Sequence, residues 1–408
     1  MTQCDVLIIG GGPAGSMAAL KLLQEGYSVQ IIEKVKFPRF VIGESLLPRC
    51  NELLEEVNVL NIIEKAKFQF KGGVAFQNEC DDLKVIHFKQ NMGQKHNSSF
   101  QVRREKFDKI LLDEAVQQGA KLSIESSVID YDEEKNIVTV EHKNSKKEKY
   151  QAKKVIDASG YGRVLPRLLN LESSSTLQLR NAIFCRVTND IRPTDETDGY
   201  IYVYVVGNND AWIWNIPLSQ TETSVGIVCS DEYYQKFHMN PETFWNHIIQ
   251  QNSHAKKRYA STKKINEVNL INGYSSNVKT MFGKNFVMVG NATEFLDPIF
   301  SSGVTLALES AVKAAELIHL ELKGQTINWK EDYEDYMMLG INVFREYVEA
   351  WYDGRLQEIL FSKTLTSDKI ERKIVSVLSG YVWDKSNMFV HSPKESVNVT
   401  HNILTQKV

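Results

Sequence analysis

Apolar and polar positions follow two rhythms along this 408-residue chain. Near the N-terminus a continuous apolar run, Cys4 to Ile9, gives way to glycines and then to Ala and Leu at helical spacing from Ser16 to Glu25. The first pattern predicts a buried parallel strand and the second a helix. Gly26 stands where that helix would stop, and Tyr27 to Ile32 forms a second apolar strand closed by Glu33. The strand-and-turn signature returns at "KKVIDASGYGR" (153–163) and at "NFVMVGNATEFLDPIFSSGVTLALESAVKAAELI" (285–318), where the turn opens a long helix. Between them the rhythm changes. "YIYVYVV" (200–206), "AWIWNIPL" (211–218) and "TSVGIVCS" (223–230) are short β-branched and aromatic runs with turn signals between them, the pattern of an antiparallel sheet. The predicted architecture is α/β. A discontinuous Rossmann-like domain takes residues 1–70, 100–170 and 276–330. An antiparallel-sheet substrate domain takes 71–99 and 171–275, and 331–408 is a mainly helical C-terminal region.

The glycines carry the first chemistry. Gly10, Gly12 and Gly15 form G-x-G-x-x-G between a strand and a helix, with Pro13 and Ala14 in the same turn. Gly10 permits the tight turn, Gly12 lets the backbone approach a pyrophosphate, and Gly15 lets helix and strand pack closely. The helix N-terminus adds free N–H groups and a partial positive charge. Glu33, beside Lys34, lies about 20 residues on, where an acid takes a ribose hydroxyl. Taken alone the triplet reads as a surface turn; with both strands, the helix and the acid it predicts dinucleotide binding. Its place at the extreme N-terminus favours FAD.

Bulk properties narrow the field. Lys+Arg 48 against Asp+Glu 51 leaves a net charge of -3, which gives no electrostatic case for nucleic acid. The basic run His142 to Lys149 reads as a solvated hairpin tip. The five cysteines are scattered and never C-x-x-C, and the histidines show no ligand spacing, so neither a metal site nor a disulfide framework is expected. Reduced thiols and the lack of a basic leader or a membrane-length apolar run predict a cytoplasmic protein without a transmembrane segment.

Five further stretches resemble one family. Together with the glycine turn they look like the flavin-dependent monooxygenase superfamily of the p-hydroxybenzoate hydroxylase (GR2) type, and within it the flavin-dependent halogenases acting on phenols or pyrroles. "FPRFVIGESLLP" (37–48) resembles the strap that lies along the flavin, which implies contacts from Arg39, Glu44 and Ser45. "QVRREKFDKILLDEA" (101–115) resembles the V-x-R-x-x-F-D segment, with Arg104 reaching the FAD phosphate or ribityl region. "AWIWNIP" matches W-x-W-x-I-P; Trp212, Trp214 and Ile216 alternate and so share one strand face. "GNATEFLDPIFSSGV" (290–304) resembles G-D-A…D-P-x-F-S-x-G-V, with Asn291 standing where the Asp is usual. The resemblance implies that Asp297 and Pro298 line the isoalloxazine and that Ser301, Ser302, Gly303 and Val304 open a helix at a halide or flavin site. Phe300 occupies the place of the glutamate found in tryptophan halogenases, which argues against free tryptophan as substrate. In "FQFKGGVAF" (68–76), Lys71, Gly73 and Phe76 match K-x-G-x-x-F, and the resemblance makes Lys71 the catalytic lysine. From the residues alone, Lys71 reads as a solvated side chain before a Gly72–Gly73 turn.

The implied activity is that of an FAD-dependent oxidoreductase. A halide is oxidised by the flavin C4a-hydroperoxide, and the hypohalous acid passes along a tunnel of Trp212, Trp214 and Phe300 to Lys71. Lys71 then delivers it to an electron-rich phenolic or pyrrolic ring, free or on a carrier protein. A separate flavin reductase or NAD(P)H supplies the reduced FAD. The competing readings are an aromatic monooxygenase, a geranylgeranyl-reductase-like flavin dehydrogenase and a non-catalytic flavin-binding protein.

Overall fold

The computed structural model describes residues 1–363 and 367–405. The remainder of the predicted helical region, 364–366 and 406–408, lies outside the described residues. Five parallel strands build the first sheet, in the order Lys121–Ile124, Val29–Glu33, Thr2–Ile9, Lys147–Asp157 and Phe286–Met288. The hairpin strands Ile137–His142 and Ser126–Asp132 extend it from the first half of Lys147–Asp157. Val6, Leu7, Ile8, Ile31, Val155 and Ile156 are fully buried, as a parallel sheet covered on both faces requires. The strands end in register, Ile9 beside Ile32 and Asp157, so the glycine turn, Glu33 and the Asp157 turn meet at one edge. That carboxyl edge is where open α/β sheets hold ligands. Helix Pro13–Gln24 packs back on the sheet because Gly15 has no side chain; a Cβ there would stand 1.9 Å from the Gly10 carbonyl oxygen.

The second sheet joins Arg180–Thr188, Glu222–Ser230, Ala211–Pro217, Ile201–Val206, Gly73–Gln77 and Leu83–His87, with short strands at its outer edge. Its alternation sorts side chains to two cores. Phe76, Val203, Trp212, Trp214 and Ile216 face the main core; Ala75, Tyr202, Tyr204, Ile213 and Ile227 face helix Pro241–Gln251 through Phe244, Trp245 and Ile248. The sheet departs from the antiparallel prediction at one pairing: Ile201–Val206 runs parallel to Gly73–Gln77. A parallel partner needs a long connection, and more than a hundred residues separate these two strands. Helices Ser302–Leu322, Tyr336–Tyr352, Arg355–Phe361 and Asp368–Leu378 close the remaining side.

Candidate active site

A cavity of about 440 Å³ opens at the carboxyl edge of the first sheet. Gly10, Gly12, Pro13, Ala14, Glu33, Lys34, Arg39, Arg104, Trp214, Asn291, Pro298, Gly303 and Val304 line it, so thirteen residues drawn from five separate stretches converge. Glu33 is 5% exposed, and its two oxygens accept the Gly11 and Val35 N–H groups, both at 2.7 Å. Each oxygen keeps a lone pair for a ribose hydroxyl. Gly12 caps the helix without any side-chain hydrogen bond, so the first helical N–H groups stay free. Beside them stands the guanidinium of Arg39, 3.3 Å from where a Gly12 Cβ would be. An uncapped helix end, a glycine cradle, a cation and a ribose acid in one cavity fit FAD. Arg104 lines the wall but is held there: it makes two bonds to Asp108, at 2.7 and 3.0 Å, and donates to the strap carbonyls of Ile42 and Gly43.

Not every expected contact reaches this cavity. Gly15 acts behind it, through helix packing. Glu44, 1% exposed, turns away from it and pairs with Arg186 of the second sheet at 2.5 Å. Arg186 also binds Glu105, so Glu44 ties the strap to the sheet. Burial raises the Glu44 pKa and Arg186 opposes that rise. Ser45 bridges to Gln101 and is likewise buried. Asp297 faces neither cavity described here, because its oxygens are taken by the Ile299 N–H and by the hydroxyls of Tyr274 and Tyr352. Trp212 lines neither this cavity nor the smaller one beside it; it is 1% exposed and its indole N–H donates to Tyr352. Ser302 is buried at the start of the long helix.

A second, small cavity of about 10 Å³ contains Lys71, with Leu47, Val74, Phe76, Phe88, Ile201, Ile299, Phe300, Ser301 and Leu378 around it. Such a volume is at the lower limit for a single water. The turn 298–304 is the wall between the two spaces: Pro298, Gly303 and Val304 face the large cavity, and Ile299, Phe300 and Ser301 face the small one. Ser301 takes a left-handed conformation, φ 56°, to allow this reversal. Lys71 ends strand Gln69–Lys71 and is 1% exposed. Its Nζ donates to the Leu46 carbonyl at 2.8 Å and sits 5.2 Å from the Phe88 ring centre. No carboxylate pairs with it among the described residues. Burial in these apolar walls drives its pKa down to about 7. The Gly72–Gly73 pair is a close approach in place of the expected turn: the Tyr200 ring lies against both, and a Gly73 Cβ would meet the Ile86 carbonyl at 2.0 Å.

Sequence reasoning missed Arg186, Tyr274, Tyr352, Arg180 and Phe88, which lie outside any motif and join the site only through tertiary packing. Among the described residues no cluster of His, Cys, Asp or Glu could hold a metal, and no helix is long and apolar enough to cross a membrane.

Comparison with known proteins places this geometry. A family model described as an FAD binding domain matches residues 3–334. The chain is 30% identical to a 1H-pyrrole-2-carbonyl peptidyl-carrier-protein chlorinase of Pseudomonas fluorescens, over 95% of this chain and 91% of that protein. It is 26% identical to the corresponding brominase of Pseudoalteromonas luteoviolacea, over 93% and 92%. A crystal structure of a flavoprotein/dehydrogenase from Cytophaga hutchinsonii superposes with a TM-score of 0.95 at 39% identity, covering 99% of both chains. A flavin-dependent brominase structure shares the fold at 24% identity, with a TM-score of 0.86 over 100% of this chain and 99% of that one. The chain is an FAD-dependent oxidoreductase that belongs to the flavin-dependent halogenase family.

Proposed function

We propose that this protein oxidises a halide and transfers the halogen through Lys71 to an electron-rich ring, a pyrrole or phenol. One observation carries the reading. A buried lysine, without a carboxylate partner among the described residues, stands in a small apolar space, one turn of chain away from the cofactor cavity. A cation costs free energy there, offset only by the Leu46 carbonyl and the Phe88 ring. The pyrrole-acting relatives favour a ring presented by a carrier protein.

Bound and reduced, FAD supplies the electrons with which oxygen is activated for halide oxidation. The residues then divide the work. The glycine turn and helix Pro13–Gln24 hold the pyrophosphate, Glu33 a ribose hydroxyl, and Arg39 and Arg104 the strap side of the cofactor. Backbone N–H groups at Ser302 and Gly303, opening a long helix, hold the halide. Trp214, whose indole N–H is fixed on Ser224 at 3.2 Å, keeps the adjoining wall dry. The 298–304 turn keeps organic substrate apart from the cofactor while a small oxidant crosses. Lys71, with its pKa near neutrality, leaves the Leu46 carbonyl and hydrogen-bonds the oxidant, orienting the halogen toward the ring.

The test uses FAD-loaded protein, chemically reduced and mixed with oxygen, with and without bromide, in the presence of a small amine that traps hypobromite. The expected result is trapped oxidant that depends on bromide. A flavin that reoxidises without regard to halide, yet oxygenates an aromatic ring, would make the protein a monooxygenase. The flavoprotein/dehydrogenase likeness supports a second reading, hydride transfer without oxygen. Substrate-dependent flavin reduction under anaerobic conditions would establish it.

A further inference from the structure

The turn that divides the two cavities begins with a carboxylate that faces neither. Asp297 is 3% exposed, and its Oδ1 accepts the Ile299 N–H at 3.0 Å, which is all that the turn needs. Its Oδ2 accepts two more bonds, from the phenol hydroxyls of Tyr274 at 2.8 Å and Tyr352 at 3.0 Å. The indole N–H of Trp212 donates to the Tyr352 oxygen at 2.8 Å and so leaves the Tyr352 proton for Asp297. Arg180 lies over the Tyr352 ring, 3.2 Å from its centre, but gives its hydrogen bonds to Asp210 and Gln178. It is the charged group facing Asp297; Tyr274 and Tyr352 are the titratable ones. Two distant segments of chain thus meet on one carboxylate oxygen.

The two ends of this hydroxyl chain differ. Tyr274 lines the FAD cavity beside Trp214 and Pro298, where Ala182, Ile271 and Phe295 make the neighbouring wall apolar. Tyr352, at the end of helix Tyr336–Tyr352, is half-buried as a residue, with its hydroxyl held between Asp297 and Trp212. Burial raises the Asp297 pKa, against the opposing pull of Arg180. Burial also lifts both phenols well above their usual range, so they stay protonated and can only pass protons on.

We propose that Asp297 is a proton store for the cofactor cavity, filled through Tyr352 and emptied through Tyr274. The need for it rests on the halogenase reading, since reducing oxygen while oxidising a halide consumes protons inside a closed site. In the delivering step the Tyr274 hydroxyl turns from Asp297 toward the cavity and gives its proton to the acceptor there. As it does so the Asp297 Oδ2–H bond breaks and a new bond forms to the Tyr274 oxygen. Asp297 is left ionised and takes the Tyr352 proton, which water replaces. No electron moves through these groups.

The relay is tested by redox-triggered infrared difference spectroscopy on FAD-loaded protein, without halide or organic substrate. Negative charge gained in the cavity on reduction should draw a proton to Asp297. The expected signal is a protonated carboxylic carbonyl band that changes with reduction, shifts in D2O and is lost in Asp297→Asn. In Tyr352→Phe and in Tyr274→Phe, which each remove one donor, the band should move to higher frequency. Should Asp297→Asn fail to retain FAD, the two Phe variants decide alone. A wild-type spectrum without such a band, a band that survives in Asp297→Asn, or one unmoved in both Phe variants overturns the proposal. Because no halide is present, this outcome is independent of whether bromide-dependent oxidant appears.

Discussion

Lys71 shows how much a residue's role depends on what surrounds it. Its letters alone describe an ordinary solvated lysine, and only the K-x-G-x-x-F resemblance singled it out. Its burial was not legible, because the walls are Phe88, Ile201, Phe300 and Leu378, scattered over the chain. The pKa shift carries a stability consequence. Burial favours the neutral amine and moves the pKa from 10.5 to about 7. Between those values the unfolded chain binds more protons than the folded one, so this group makes stability rise with pH across the window. The full penalty is present at pH 7 and below. Lys71→Met, similar in volume and uncharged, should therefore stabilise the protein most in that acid range and least toward pH 10.5. One pKa unit corresponds to about 1.4 kcal/mol, so the acid-side gain should reach several kcal/mol. Urea unfolding as a function of pH checks this; a gain that does not vary with pH would contradict it.

At the scale of elements, the strand, glycine turn, helix and second strand were readable because each obeys a local rule: apolar runs, φ-permissive glycine, helical spacing. The closeness of helix Pro13–Gln24 to its strand depends on Gly15. Gly15→Ala forces a carbon into the Gly10 carbonyl and should cost about 1–3 kcal/mol while weakening FAD binding, as thermal melts and flavin titration would record. The segment 37–48 was expected to lie along the flavin, but its tie to the second sheet was not legible, since Arg186 is more than a hundred residues from Glu44 and belongs to no motif. Glu44→Ala leaves Arg186 with Glu105 as its close partner and should destabilise by about 3 kcal/mol, with the strap contacts to FAD loosened. An unchanged flavin dissociation constant in that variant would separate the strap from cofactor binding. Phe300→Ala removes a ring from the wall between the cavities, at a cost of about 3–5 kcal/mol. It should also let oxidant escape, seen as less halogenated product for each flavin reoxidised.

Across the whole molecule, the arrangement is a division of space. A cavity of about 440 Å³ lies at the glycine turn and one of about 10 Å³ at the lysine, with a single turn between them. The sequence carried the parts of this plan, the Rossmann-like edge, the aromatic sheet and the helical cover, because hydrophobic periodicity reports which face of an element is buried. It could not carry the partition. Whether Trp212 or Trp214 meets the cofactor cavity depends on what packs beyond the shared strand face, and there Tyr352 claims Trp212. On the proposed reading the two cavities correspond to two separable events, oxidant formation and halogen transfer. The direct measurement is a single reaction of reduced FAD, oxygen, bromide and a pyrrole or phenol acceptor, scored for both trapped oxidant and brominated ring. The comparison is wild type against Lys71→Ala. The account predicts retained oxidant with ring bromination lowered about 100-fold or more. Equal loss of both, or bromination that survives without Lys71, would contradict it.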